Sequence, residues 1–175
     1  MKRWSVLFIL SFLFFVQSAS AHGGEDKEGL SNLQIMLISL AACLVIYLIS
    51  EKIFTIDIES NNKVFLSLVT YTGTVHVLLG VNDFLLLFGG ISVLLIAVVA
   101  NATNIGRENY GLLQIIMGVA IVSMFVAYFV SNHDLHYIAE DFLGITTKLA
   151  ELGVIALIIR QYNKQSHSKN TPSND

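Results

Sequence analysis

Five apolar stretches, at residues 32–50, 64–81, 84–100, 111–130 and 142–159, leave this chain few ways to fold. Each is 17 to 20 residues long, and a helix rising ~1.5 Å per residue covers with that length most of a hydrocarbon layer about 30 Å thick. Lipid offers no water to backbone N–H and C=O groups, so only helices and closed barrels span it. A barrel strand alternates apolar and polar residues, whereas these stretches are apolar at odd and even positions alike. Helices are therefore expected. A hydrophobic content of 54%, a charged content of 13% and a mean hydropathy of +0.68 point the same way. The expected class is all-α: a polytopic membrane helix bundle of five transmembrane helices in the lipid bilayer. The connections are short, which sets sequence neighbours antiparallel.

The ends of the chain give it a direction. Residues 1–21 carry the three parts of a secretory signal: Lys2 and Arg3, an apolar core from Trp4 to Val16, and small residues Ala19 and Ala21 at the Ala-x-Ala positions. Cleavage after Ala21 leaves an extracytoplasmic leader at residues 22–31, a transmembrane domain at 32–160 and a polar tail at 161–175, expected to be disordered and cytoplasmic. Basic residues near span ends agree with that direction. Lys52, Lys63, Arg107, Arg160, Lys164 and Lys169 fall on one side, and Lys27 alone falls in the opposite connections. The expectation is a multi-pass protein of the cell membrane with its mature N-terminus outside and its C-terminus in the cytoplasm.

Several classes of function drop out. The net charge of −3 and the scattered basic residues form no nucleic-acid footprint. Cys43 is the only cysteine, sits within an apolar run and reads as a small packing residue. Catalytic signatures such as Gly-x-Ser-x-Gly, His-Glu-x-x-His or a phosphate-binding glycine loop do not occur, so enzymatic activity by this chain alone is not expected.

What stands out instead is His76, an ionisable side chain inside an apolar run. Such a residue at membrane depth costs several kcal/mol by order of magnitude and points to function unless a neighbour satisfies it; a carbonyl, Thr72 or Thr74 could do so. On the drawn topology His22, His76, His133 and His136 fall towards the outer side, with Asp83, Asp134, Glu140 and Asp141. Imidazoles beside carboxylates suit a first-row transition metal, as ligands or as groups that orient ligands. In a helical loop His133, His136 and Glu140 share one face. His76 and Asp83 are separated by seven residues, ~10 Å of straight helix, so they share a site only if the chain bends after Gly80. The expected metal residues are His76, Asp83, His133, His136, Glu140 and His22. Lys148 and Glu151, three apart within the last stretch, read first as an intrahelical ion pair, with Lys148 able to snorkel to a membrane surface. The sharper reading has Glu151 facing a polar pathway.

The run His76-Val77-Leu78-Leu79-Gly80-Val81-Asn82-Asp83 resembles the His-Pro-x-x-Gly-x-Asp-His signature of the HupE/UreJ nickel and cobalt permeases. His76 and Gly80 match it, while Val77, Asn82 and Asp83 stand where that family has proline, aspartate and histidine. A signal sequence, an early histidine and a small helical bundle extend the likeness. The resemblance implies a divalent metal ion as cargo, and the donor types admit nickel, cobalt, copper or zinc. The leading expectation is a protein that captures such an ion at its outer face and conducts it past His76. The alternatives are a haem-bearing subunit, with His76 and Met124 as the depth-matched ligands, or a non-catalytic subunit among the other subunits of a larger membrane oxidoreductase.

Overall fold

A computed structural model of the chain describes residues 30–53, 60–131 and 141–170. The expected signal sequence, most of the expected leader and four expected metal residues, His22, His133, His136 and Glu140, lie outside the described residues. Every described element is helical: α1 Asn32–Ile53, α2 Ser60–Leu79, a 3-10 turn Gly80–Asn82, α3 Phe84–Ala102, α4 Asn104–Glu108, α5 Tyr110–Ser131 and α6 Phe142–Asn170.

Local chemistry sets the boundaries. Ser31 and Gln34 form a reciprocal capping box at α1: the Ser31 amide donates to Gln34 Oε1 at 2.9 Å and the Gln34 amide to Ser31 Oγ at 3.3 Å. Asp83 caps α3, its Oδ1 accepting from the amides of Leu85 and Leu86, and Thr103 caps α4 through the Gly106 amide. Between α2 and α3 the chain reverses at Gly80, where a Cβ would strike the Leu87 backbone. Where a disordered tail is expected from Gln161 onward, α6 instead runs on to Asn170.

Packing partners run α2 to α3, α3 to α5, α5 to α6 and α6 back to α2, a ring of four antiparallel helices; α1 lies against the outside of α2 and touches α6. One half of the ring is filled by Phe65, Leu66 and Val69 of α2, Val93 and Ala97 of α3, Met117 and Ile121 of α5 and Val154 of α6. Ile35, Tyr71, Val75, Leu143 and Ala150 pack α1, α2 and α6 together. Helices α2 and α3 approach closely at Gly73 and Gly90, where a Cβ on Gly90 would lie 2.8 Å from the Gly73 carbonyl oxygen. Without an apolar driving force in lipid, such small-residue contacts supply the van der Waals packing that holds helices together.

Burial runs opposite to that of a water-soluble bundle. Phe84, Leu85, Leu95, Val119 and Leu149 are each more than half exposed, while Ser39, Thr72, His76, Gln114, Lys148 and Glu151 are buried. Apolar outside and charged inside is the pattern for which the surrounding solvent is hydrocarbon. Among the described residues, four helical segments are long and apolar enough to cross a membrane: Asn32–Glu51, Phe84–Ala102, Tyr110–Val130 and Phe142–Lys164. The fifth expected stretch, at 64–81, forms α2, which is not among them. Its Asn62, Lys63, Ser67, Thr70, Thr72, Thr74 and His76 lower its hydropathy. Neighbours cover much of α2, with Phe65, Leu66, Ser67, Val69, Tyr71, Thr72, Val75 and His76 all buried.

Candidate intramembrane polar site

At the end of the ring where α2, α5 and the α2–α3 turn meet the start of α6, the helices part around a cavity of about 520 Å³. Its lining includes Asn32, His76, Asp83, Met124, Tyr128, Asp141, Thr147 and Lys148. His76 and Asp83 are thus brought to one cavity by the reversal at Gly80–Asn82, the bend that a shared site demands.

Beneath the cavity lies a charged cluster. His76, Lys148 and Glu151 are 4%, 7% and 0% exposed, so all three are out of contact with bulk solvent. The Lys148 ammonium donates to both oxygens of Glu151, at 2.9 Å to Oε1 and 2.7 Å to Oε2, and to the Met124 carbonyl at 3.3 Å. It also lies 5.1 Å from the Tyr128 ring centroid and 5.8 Å from that of Phe125, a cation over aromatic faces. Thr72 Oγ1 donates to Glu151 Oε1 at 3.3 Å. The ion pair expected from the three-residue spacing is therefore present, and it is turned into the bundle. Lys148 does not snorkel to a surface; its amine runs inward to the buried Glu151 carboxylate.

His76 completes the cluster in an unusual way. Its Nδ1 is 2.8 Å from the Thr72 carbonyl oxygen, and since a carbonyl only accepts, Nδ1 carries the proton. In the neutral ring Nε2 is then an acceptor, and it faces Glu151 Oε1, another acceptor, at 3.5 Å. The expected satisfaction of His76 by a neighbouring carbonyl holds for Nδ1, while Nε2 has the Glu151 carboxylate as its neighbour. A proton or another cation between the two would relieve that contact.

The two carboxylates nearer the cavity mouth double as helix caps. Asp83 is exposed and uses Oδ1 for α3. Asp141 accepts from the Gly144 amide through Oδ1 at 2.8 Å, capping α6, and from the Tyr128 hydroxyl through Oδ2 at 3.0 Å. Met124, the methionine expected at the depth of His76, lines the same cavity, but its sulfur packs over Gly89 of α3 while the imidazole is turned to α6.

Of the residues expected at a metal site, His76 and Asp83 share this cavity; the other four lie outside the described residues. Tyr128 joins them with no signal in the sequence, while Thr72, Asp141, Lys148 and Glu151 are expected from the sequence as a partner of His76, an outer carboxylate and an ion pair. The available signal was the lone Lys148/Glu151 pair within an apolar stretch, together with hydroxyl residues at 70, 72 and 74 beside His76. Comparison with known protein families, curated proteins and solved structures gives no match for this chain.

Proposed function

We propose that this chain is a membrane protein of five transmembrane helices that binds a divalent transition-metal ion within its bundle, using His76 and Glu151 as inner donors and the cavity above them as the entrance. The facing acceptors carry the reading. With Nε2 and Oε1 3.5 Å apart, an ion about 2.1 Å from each would subtend roughly 110° between them, within the tetrahedral range of first-row metals. Charge supports it. Asp83, Asp141 and Glu151 contribute three formal negative charges and Lys148 one positive with the imidazole neutral, a deficit of two that one divalent ion fills.

Among the described residues no group of three or more His, Cys, Asp or Glu stands ready to hold a metal. In this proposal water completes the coordination, with His22, His133, His136 and Glu140 as further donors, and transport inward past His76 follows binding. The charge pattern of the connections directs the cavity mouth outward from the cell membrane, with α2 as the fifth span, sheltered from lipid by its neighbours. The resemblance to the HupE/UreJ permeases agrees in donor class. Nickel, cobalt, copper and zinc are the candidate ions.

Elemental analysis of the detergent-purified protein after exposure to each metal tests the proposal. The full chain should retain a stoichiometric amount near neutral pH, and His76→Ala and Glu151→Gln should each lose it. Acidification should release the metal, because protons compete for Nε2 and for the carboxylate. Equal metal content in the parent and both variants would sink the reading.

A further inference from the structure

Resting on that reading, we propose that Lys148 is a tethered cation that occupies Glu151 until a divalent ion arrives, then withdraws along α6 to Asp141. Lys148 lines the cavity, whereas Glu151 lies below it, so an ion coming from the cavity meets the ammonium first. That ammonium holds both oxygens of the carboxylate, at 2.7 and 2.9 Å. With Lys148 in place, a second cation at Glu151 meets the ammonium's repulsion at close range.

The route of withdrawal is built into the helix. Cα–Cβ bonds in an α-helix tilt towards the N-terminus, so a long side chain naturally covers the turn before its own. For Lys148 that turn holds Gly144, and the room a Gly144 side chain would take is filled by the Asp141 carboxylate and the Tyr128 hydroxyl. The lysine is thus bent towards its C-terminal side, away from an acceptor one turn in the other direction. Between the two stations lies the Tyr128 ring, already 5.1 Å from the ammonium, which gives the moving charge an aromatic face to cross. Charge is conserved throughout: the incoming ion takes Glu151 and His76 Nε2, Lys148 keeps its protons, and Asp141 receives it. The site then selects for cations able to compete with an ammonium that is always present at high local concentration.

Co2+ binding to the detergent-purified full-length protein, followed by its visible absorption, tests this. Lys148→Met should tighten Co2+ binding by about tenfold or more, because the resident competitor is gone. Asp141→Asn, which keeps the helix cap, should weaken binding about tenfold in the parent and by less than about twofold when combined with Lys148→Met, the pattern expected if Asp141 acts by receiving the lysine. Should Lys148→Met not fold, the same cycle is run with Lys148→Gln. Equal weakening by Asp141→Asn in both backgrounds, or no tightening without Lys148, overturns the tethered cation and leaves metal binding intact. Absence of Co2+ binding by the parent chain overturns both.

Discussion

The two ends of the helix ring solve the same problem differently. Away from the cavity, polar side chains pass inward as a chain of amides: Gln114 Nε2 donates to Gln161 Oε1, and Gln161 Nε2 donates to Asn62 Oδ1 at 2.8 Å. The groups in that chain are neutral amides. A Lys63–Glu51 ion pair ties α2 to α1 outside that chain, with Glu51 exposed. At the cavity end charged groups are buried, and His76 Nε2 faces Glu151 Oε1. A matched neutral network stiffens a bundle, whereas an unmatched charged one can accept something more. The difference separates the polar residues that hold this protein together from those free to do chemistry.

The sharpest way to break that contrast is Glu151→Leu with Lys148 retained. An ammonium stranded in the bundle should cost about 3–5 kcal/mol, and adding Lys148→Met should recover most of the loss. Unfolding followed by circular dichroism in detergent would measure both. Next in size, Gly90→Leu forces a side chain against the backbone of α2, where Val77 N is 2.7 Å from the Cβ position. The expected loss is about 1–3 kcal/mol or more, and Co2+ affinity should fall with it because the α2–α3 pair carries His76 and Asp83. Gln161→Leu at the opposite end should cost only about 1–3 kcal/mol, by stranding the amide groups of Gln114 and Asn62, and should leave Co2+ affinity unchanged. A fall in affinity there would mean that the two ends act as one site. Asp141→Asn is the smallest in stability, within roughly 0.5 kcal/mol, since asparagine caps helices about as well as aspartate; its effect belongs in binding.

The helices and their polarity were legible in the sequence because lipid imposes length and apolarity directly on local composition. Asp83 as a turn residue and the Lys148/Glu151 pair were legible for a similar reason: their partners lie within one helical turn. What could not be read was the meeting of His76 with Glu151, 75 residues apart. Helical spacing fixes which residues of one helix share a face but not which face of another helix they meet. The same gap explains why Glu151 reads first as half of a local pair, and why Tyr128 gives no signal. α2 shows the converse: its low hydropathy reflects a place among other helices that no window along the sequence can see.

The tight reversal at Gly80 and the Gly73–Gly90 contact have a consequence for how such a protein is made. In the proposed placement α2 carries too many polar groups to partition into a bilayer by itself, yet it is joined by a three-residue turn to α3, an apolar helix of mean hydropathy 2.5. The two would enter the lipid as one hairpin, the oily arm drawing in the polar one while their backbones are already in contact. Thr72 and His76 would then reach membrane depth before α6 is synthesised, and Glu151 and Lys148 would arrive last to a polar face waiting for them.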